Sequence, residues 1–248
     1  MDPEPDQTRY PLCEDAYRRL SNALRIYAEA SMNFPSLSRE DREEAIDNHD
    51  QAFDAILQGI HSVCDAMQTE DIRLGTYSAG DIAACTIVRN ARHHNTGLFR
   101  SWNQLVLDGL VEGNHGATML MVEHSSVEEP LFPPSRYYIS FQDFETRINA
   151  PQNHIPAQVD AMEILNRDCG FELIREYVGQ HRFPANQVYI SLIPFVCNAV
   201  TRISTHLRDQ GCAFTRYDAN VYITHFDHDL FDLNQPVFTH LPIIDMNQ

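Results

Sequence analysis

The sequence predicts a mainly α fold, and three observations lead there. Apolar residues recur at steps of three and four through two long N-terminal stretches. Serine–acid pairs of the kind that cap helices stand at 38–41 and 78–81. From residue 156 onward the helical spacing returns. At 248 residues the chain suffices for one large domain or two small ones, with a sizeable core.

Leu12, Ala16, Leu20, Ala23, Leu24 and Tyr27 mark a first helix over 12–32, which Pro35 is expected to interrupt. Ser38 with Asp41 then opens a second helix that reaches Met67. Its apolar stripe is Ile46, His49, Phe53, Ile56, Leu57, Ile60, Cys64 and Met67. Ser78 with Asp81 caps a third helix, where Ile82, Cys85 and Val88 lead into VRNARHHNT at 88–96, and Asn95 and Gly97 signal a stop. LFRSWNQLVL at 98–107 reads as another helical segment and carries the only tryptophan.

Between 117 and 142, ATMLMVE and RYYISFQ flank PLFPPS. They read either as the two strands of a small β hairpin or as helix ends around a proline loop. Beyond them QVDAMEILNRD, FELIREYV and the apolar run from Val188 to Leu207 are helical in pattern, with Pro194 kinking that run or marking its first turn. The tail from Cys212 mixes aromatics with acids and shows no period. The expected organisation is a helical domain over 12–110, an irregular or hairpin insertion over 111–155, and a helical C-terminal elaboration over 156–248, which can pack as one domain with the first.

Composition narrows the function. The 43% hydrophobic and 10% aromatic content are those of an ordinary globular protein. No apolar segment approaches the ~20 residues that cross a bilayer. The opening MDPEPDQ lacks the basic and apolar regions of a leader, and the six cysteines are scattered with no CxxC pair. A cytoplasmic protein with reduced thiols is expected. A formal net charge of −17 repels nucleic acid and anionic membrane over most of the surface. All 18 basic residues are arginine. The absence of lysine excludes P-loop, pyridoxal, kinase and Ser–Lys chemistry.

Against that acidity, 82–107 contains no Asp or Glu but holds Arg89, Arg92, Arg100, His93 and His94. Such a cationic island suits phosphate: guanidinium clamps it and stabilises growing charge, and imidazole moves protons near neutral pH. An adjacent amide, Asn90, can orient the histidine or a ribose hydroxyl. Together these groups suit metal-free cleavage of RNA with the 2′-OH as nucleophile. On a straight helix, positions five apart lie about 140° from one another. His93 therefore shares Arg89's face more closely than His94 does, unless the helix loosens near Gly97 or the pairing is made across a dimer.

Arg89-Asn90-x-x-x-His94 resembles the R-polar-x-x-x-H motif of HEPN domains, small helical domains found in many RNases of toxin–antitoxin, phage-defence and stress systems. The apolar helix leading in (DIAACTIV) and the two long helices before it are also similar to that fold, over roughly 12–107. The resemblance implies an antiparallel helical bundle that joins two motifs across a homodimer. It further implies His94 as acid/base group, Arg89 as phosphate stabiliser and Asn90 as orienting residue, without a cofactor. Arg92, His93 and Arg100 would then contact substrate RNA.

Two alternatives stand beside it. One is a non-catalytic HEPN-like module that works with a protein partner such as an antitoxin. The other is a metal-dependent hydrolase using HFDHD at 225–229, where His225, Asp227 and His228 (with Asp229) offer ligands for a transition metal. His49–Asp50 lies on the second helix's stripe and reads as a core-edge histidine. Ser78, inside TYSAG, reads as an N-cap.

Overall fold

The computed structural model describes residues 9–94, 96–124, 136–150, 155–156, 159–212, 214 and 216–243. Asn95 and the PLFPPS segment lie outside the described residues. Within them the chain is mainly helical, with nine α-helices around a small four-stranded sheet. No described helix is long and apolar enough to cross a membrane.

Helices α1 (Pro11–Glu40) and α2 (Arg42–Thr69) form an antiparallel hairpin turned by the single residue Asp41. Asp41 adopts extended backbone, donates its N–H to the Leu37 carbonyl at 2.7 Å, and accepts Glu44 N–H on its carboxylate at 3.0 Å. It therefore ends one helix and caps the next. At the far end of the hairpin, the Glu70 carboxylate accepts the Leu12 and Cys13 N–H groups, each at 2.9 Å. The expected break at Pro35 does not occur: α1 runs through it to Glu40. A mid-helix proline costs about 3 kcal/mol; just before it Phe34 packs on His49 of α2, ring centroids 5.4 Å apart. The α2 stripe is buried as its spacing requires, and Gly59 lets Leu20 approach, since a Cβ there would sit 3.0 Å from Leu20 Cδ1.

Helix α3 (Gly80–His93) is the central element, buried continuously from Gly80 through Val88. Its expected cap, Ser78, instead folds back onto the Gly75 carbonyl at 2.6 Å. The Gly80 N–H is satisfied by Asp168 at 2.9 Å, at the end of α6 (Ala161–Cys169). Arg202 of α8 (Ile193–Asp209) pairs with buried Asp81 at 2.7 Å. The start of α3 is thus pinned by residues about a hundred positions away. Helix α4 (Trp102–Leu107) is capped by Ser101. Pro194 sits in the first turn of α8, so the run from Val188 divides into a strand and a helix.

The strands are β1 (Thr118–His124), β2 (Tyr138–Ser140), β3 (Val188–Ser191) and β4 (Pro236–Pro242), in the order β2-β3-β1-β4. The anticipated hairpin is not formed. Its two strands exist, but β3 lies between them, parallel to β1 and antiparallel to β2, and β4 closes antiparallel on β1. The C-terminal part is likewise not helical throughout, because it supplies half the sheet. Helices α5 (Gln142–Ile148), α7 (Phe171–His181) and α9 (Tyr217–His225) complete the fold. One hydrophobic cluster draws on all three stretches of the chain, including Leu20, Ile60, Leu120, Ile190 and Ile203. The sheet's other face carries a smaller cluster of Met119, Met121, Tyr138 and Tyr189 against Trp102 and Leu105.

Two expected outcomes follow from this packing. At Gly80 a Cβ would lie 2.5 Å from Cys169 Sγ and 2.7 Å from Asp168 Cβ. Gly80→Ala should therefore lower unfolding free energy by about 2 kcal/mol in a urea titration.

His124 ends β1 on the core side, 6% exposed and edge-on to Phe195 at 5.4 Å. Burial drives its pKa down to about 4, with Asp232 opposing. In the unfolded chain the same group titrates near 6.5, so between the two values the unfolded state binds more protons. Stability should be full above pH ~6.5 and fall by about 3 kcal/mol as pH drops through 4. His124→Leu should remove most of that loss when urea midpoints at pH 7 and pH 4 are compared.

Candidate functional site at the seam of α2 and α3

Helix α2 presents Asp50, Asp54, Gln58 and His61 at helical spacing, so they line one flank. This flank faces α3 and forms a polar seam. Asp50 accepts the Tyr137 hydroxyl at 2.7 Å on one oxygen and the Ser101 hydroxyl at 2.9 Å on the other. Burial pushes the Tyr137 phenol well above its ordinary pKa, which keeps its proton for that bond. The Tyr137 ring stacks on Phe53 at 3.7 Å and packs beside His49.

One step along, Arg92 Nε pairs with Asp54 at 2.8 Å and Nη1 donates to the Tyr137 hydroxyl at 2.6 Å. Its side chain is only 16% exposed. A further turn on, Gln58 Oε1 accepts both Nε and Nη2 of Arg89, at 3.0 and 2.9 Å. Asn90 Oδ1 accepts Nη1 at 3.0 Å. These bonds use three of the five N–H donors that a guanidinium carries and leave two for a ligand. Arg89 is thus aimed by two neutral amides, which fix its direction without cancelling its charge.

The histidines extend the site. His93 follows Arg89 by one turn on the same face and is solvent-exposed. His94, also exposed, is the C-cap residue of α3, its N–H bonded to the Asn90 carbonyl at 3.1 Å. The two imidazoles lie 5.3 Å apart, edge to face. His61, which the motif did not suggest, stands across the seam with Nε2 3.5 Å from Asp65. Burial lowers its pKa; Asp65 opposes this, while Arg89 and His93 lower it further. Its position on α2's polar flank is visible in the sequence, but its facing Arg89 and His93 depends on how the helices cross.

The acid-free character of the 82–107 window does not survive folding. Asp54 neutralises Arg92, and Asp108 pairs with Arg100. Arg92, expected among the substrate contacts, is committed to holding α3 against α2 and Tyr137. Arg100 shares its charge with a neighbouring carboxylate. Arg100 is itself exposed, so the solvent-reaching groups of the window that lie outside these two ion pairs are the smaller set Arg89, Asn90, His93 and His94.

The other candidates do not assemble. Asp227 is taken by Arg208 at 2.8 Å, and His228 Nδ1 lies 2.7 Å from the Asp229 carbonyl. Among the described residues no three His, Cys, Asp or Glu side chains converge as a metal site, so His225, Asp227 and His228 do not form the ligand set considered from sequence. His49 is buried, stacked on Tyr27 at 4.8 Å and bonded to Ser31 at 3.1 Å, which is a core histidine's environment.

No protein-family model, no curated protein and no solved structure matches the chain.

The division between the two arginines has a measurable consequence. Arg92→Met leaves Asp54 and Asp50 without their counter-charge and should cost about 3 kcal/mol of stability. Arg89→Met breaks only half-exposed bonds to amides and should cost less than about 1 kcal/mol. Urea midpoints of the two variants at pH 7 check this ordering.

Proposed function

We propose that the chain is a metal-independent endoribonuclease of the HEPN kind, acting as a homodimer in which two copies of the 88–96 segment face one cleft. The observation that carries this reading is Arg89, steadied by Gln58 and Asn90 with two donors to spare, beside two exposed imidazoles. In the proposed reaction an imidazole takes the proton of a ribose 2′-OH, whose oxygen attacks the adjacent phosphorus. The P–O5′ bond breaks, and the second imidazole delivers a proton to the departing 5′-oxygen. Arg89 binds the non-bridging oxygens, where charge accumulates. The products are a 2′,3′-cyclic phosphate and a 5′-hydroxyl. His93 is favoured as base because it lies on Arg89's face, with His94 as its acid partner. All the groups needed are side chains of the protein, so no cofactor enters the scheme.

The overall charge of −17 favours one further reading, a HEPN-like module that holds a basic protein partner and cuts nothing. Purification from the native source distinguishes them: a stoichiometric partner with no nuclease activity, bound or released, supports the module.

For the enzyme reading, Arg89→Ala, His93→Ala and His94→Ala are each expected to slow RNA cleavage by about 10²-fold or more. EDTA should leave the wild-type rate unchanged, and the 3′ fragments should accept phosphate at a 5′-hydroxyl end. Equal cleavage by all three variants overturns the assignment.

A further inference from the structure

The outer face of the sheet and α4 enclose a cavity of about 280 Å³, separate from Arg89 and the histidines. Its walls include Trp102 and Asn103 of α4, Glu123 of β1, Arg136 just before β2, Tyr138 of β2, and Thr239 of β4. Trp102 is held by a T-shaped contact with Tyr189, ring centroids 4.8 Å apart. Glu123 accepts the Tyr138 hydroxyl and lies 3.7 Å from Arg136 Nε. Both contacts fall on Oε1, which leaves Oε2 open; Arg136 at 3.7 Å is an ion pair longer than a hydrogen bond, so only Tyr138 occupies a lone pair of Oε1.

These groups select a chemistry. Indole and phenol rings offer flat surfaces on which a planar ring stacks. A carboxylate at the edge of such a surface accepts two parallel N–H donors and repels a ring edge that presents an acceptor. Arg136, its side chain 68% exposed at the rim, suits a phosphate or another anion. The volume admits a base and part of its sugar, near the lower end of small-molecule sites.

We propose that this cavity binds a guanine nucleotide. Guanine's N1–H and N2–H₂ form the paired donors that Glu123 accepts, its ring lies against Trp102 and Tyr138, and its phosphate meets Arg136. Adenine turns the N1 acceptor toward the carboxylate and is rejected. The site does not depend on the ribonuclease reading. Tyr137 connects the two regions, because it lines the cavity while its hydroxyl belongs to the seam between Asp50 and Arg92.

Trp102 is the only tryptophan among ten tyrosines, so fluorescence excited on the red edge, where phenols do not absorb, and corrected for nucleotide absorbance with free tryptophan, reports on this cavity. Titration with GMP is expected to quench it, and AMP should need at least about tenfold higher concentration for the same change. Glu123→Gln keeps the shape, removes one of two acceptors, and should weaken GMP at least about tenfold. Arg136→Ala, at an exposed position that the fold does not need, should leave guanosine binding intact while erasing the advantage of GMP over guanosine. A guanine-containing RNA tetramer that competes for the signal indicates a base arriving on a strand; failure to compete while GMP binds indicates a free nucleotide. Absence of any fluorescence response to millimolar GMP, or equal responses to GMP and AMP, overturns the proposal whether or not the protein cuts RNA.

Discussion

The seam between α2 and α3 depends on one buried charge. Arg92 lies in a closed arrangement of Asp54, Tyr137 and, through Tyr137, Asp50. Removing a guanidinium from water is costly unless ionised and hydrogen-bonding partners surround it. Here they come from a helix, α2, and from the residue just before β2. That requirement fixes three elements at once: the rotation of α3 about its axis, the approach of β2, and, through Ser101, the start of α4. With α3's rotation fixed, Arg89 emerges one turn away where only neutral amides meet it, and His93 shares its face. The same seam is therefore structural at one end and chemically open at the other.

The division also changes what charge means in this molecule. A strongly acidic protein excludes polyanions except where positive groups escape internal pairing. Arg92 and Arg100 do not escape; Arg89 does, because Gln58 and Asn90 orient it without carrying charge. An amide partner preserves the field of a guanidinium, whereas a carboxylate cancels it. Arg89 alone carries a much smaller cationic surface than the window from Ile82 to Leu107 implied.

Much of the helical framework was legible in the sequence because an amphipathic helix writes its period locally, as α2's buried stripe does. Long-range terms defeated the rest. Pro35 reads as a break until α2's packing is known. Ser78 reads as a cap, but the donor it would satisfy is met by Asp168. The four residues of β3 are buried on both sides and form an apolar run that periodicity cannot separate from the helix after it. Nothing local near 236–242 announces a strand, since its partner β1 lies more than a hundred residues earlier. In the site, Arg89, Asn90, His93 and His94 were visible as a motif. Their pairing was not: Asp54 and His61 lie on α2, and which α3 residues they meet depends on the crossing of the two helices.

The most direct test of the proposed site is the histidine ring signals in NMR, followed while a 2′-deoxy oligonucleotide, which the proposed reaction cannot cut, is added. The His93 and His94 resonances should move with saturating ligand, and the buried rings of His49 and His124 should stay where they are. Fixed His93 and His94 signals alongside shifts elsewhere would place the nucleic acid on another surface and remove the α2–α3 seam from the mechanism.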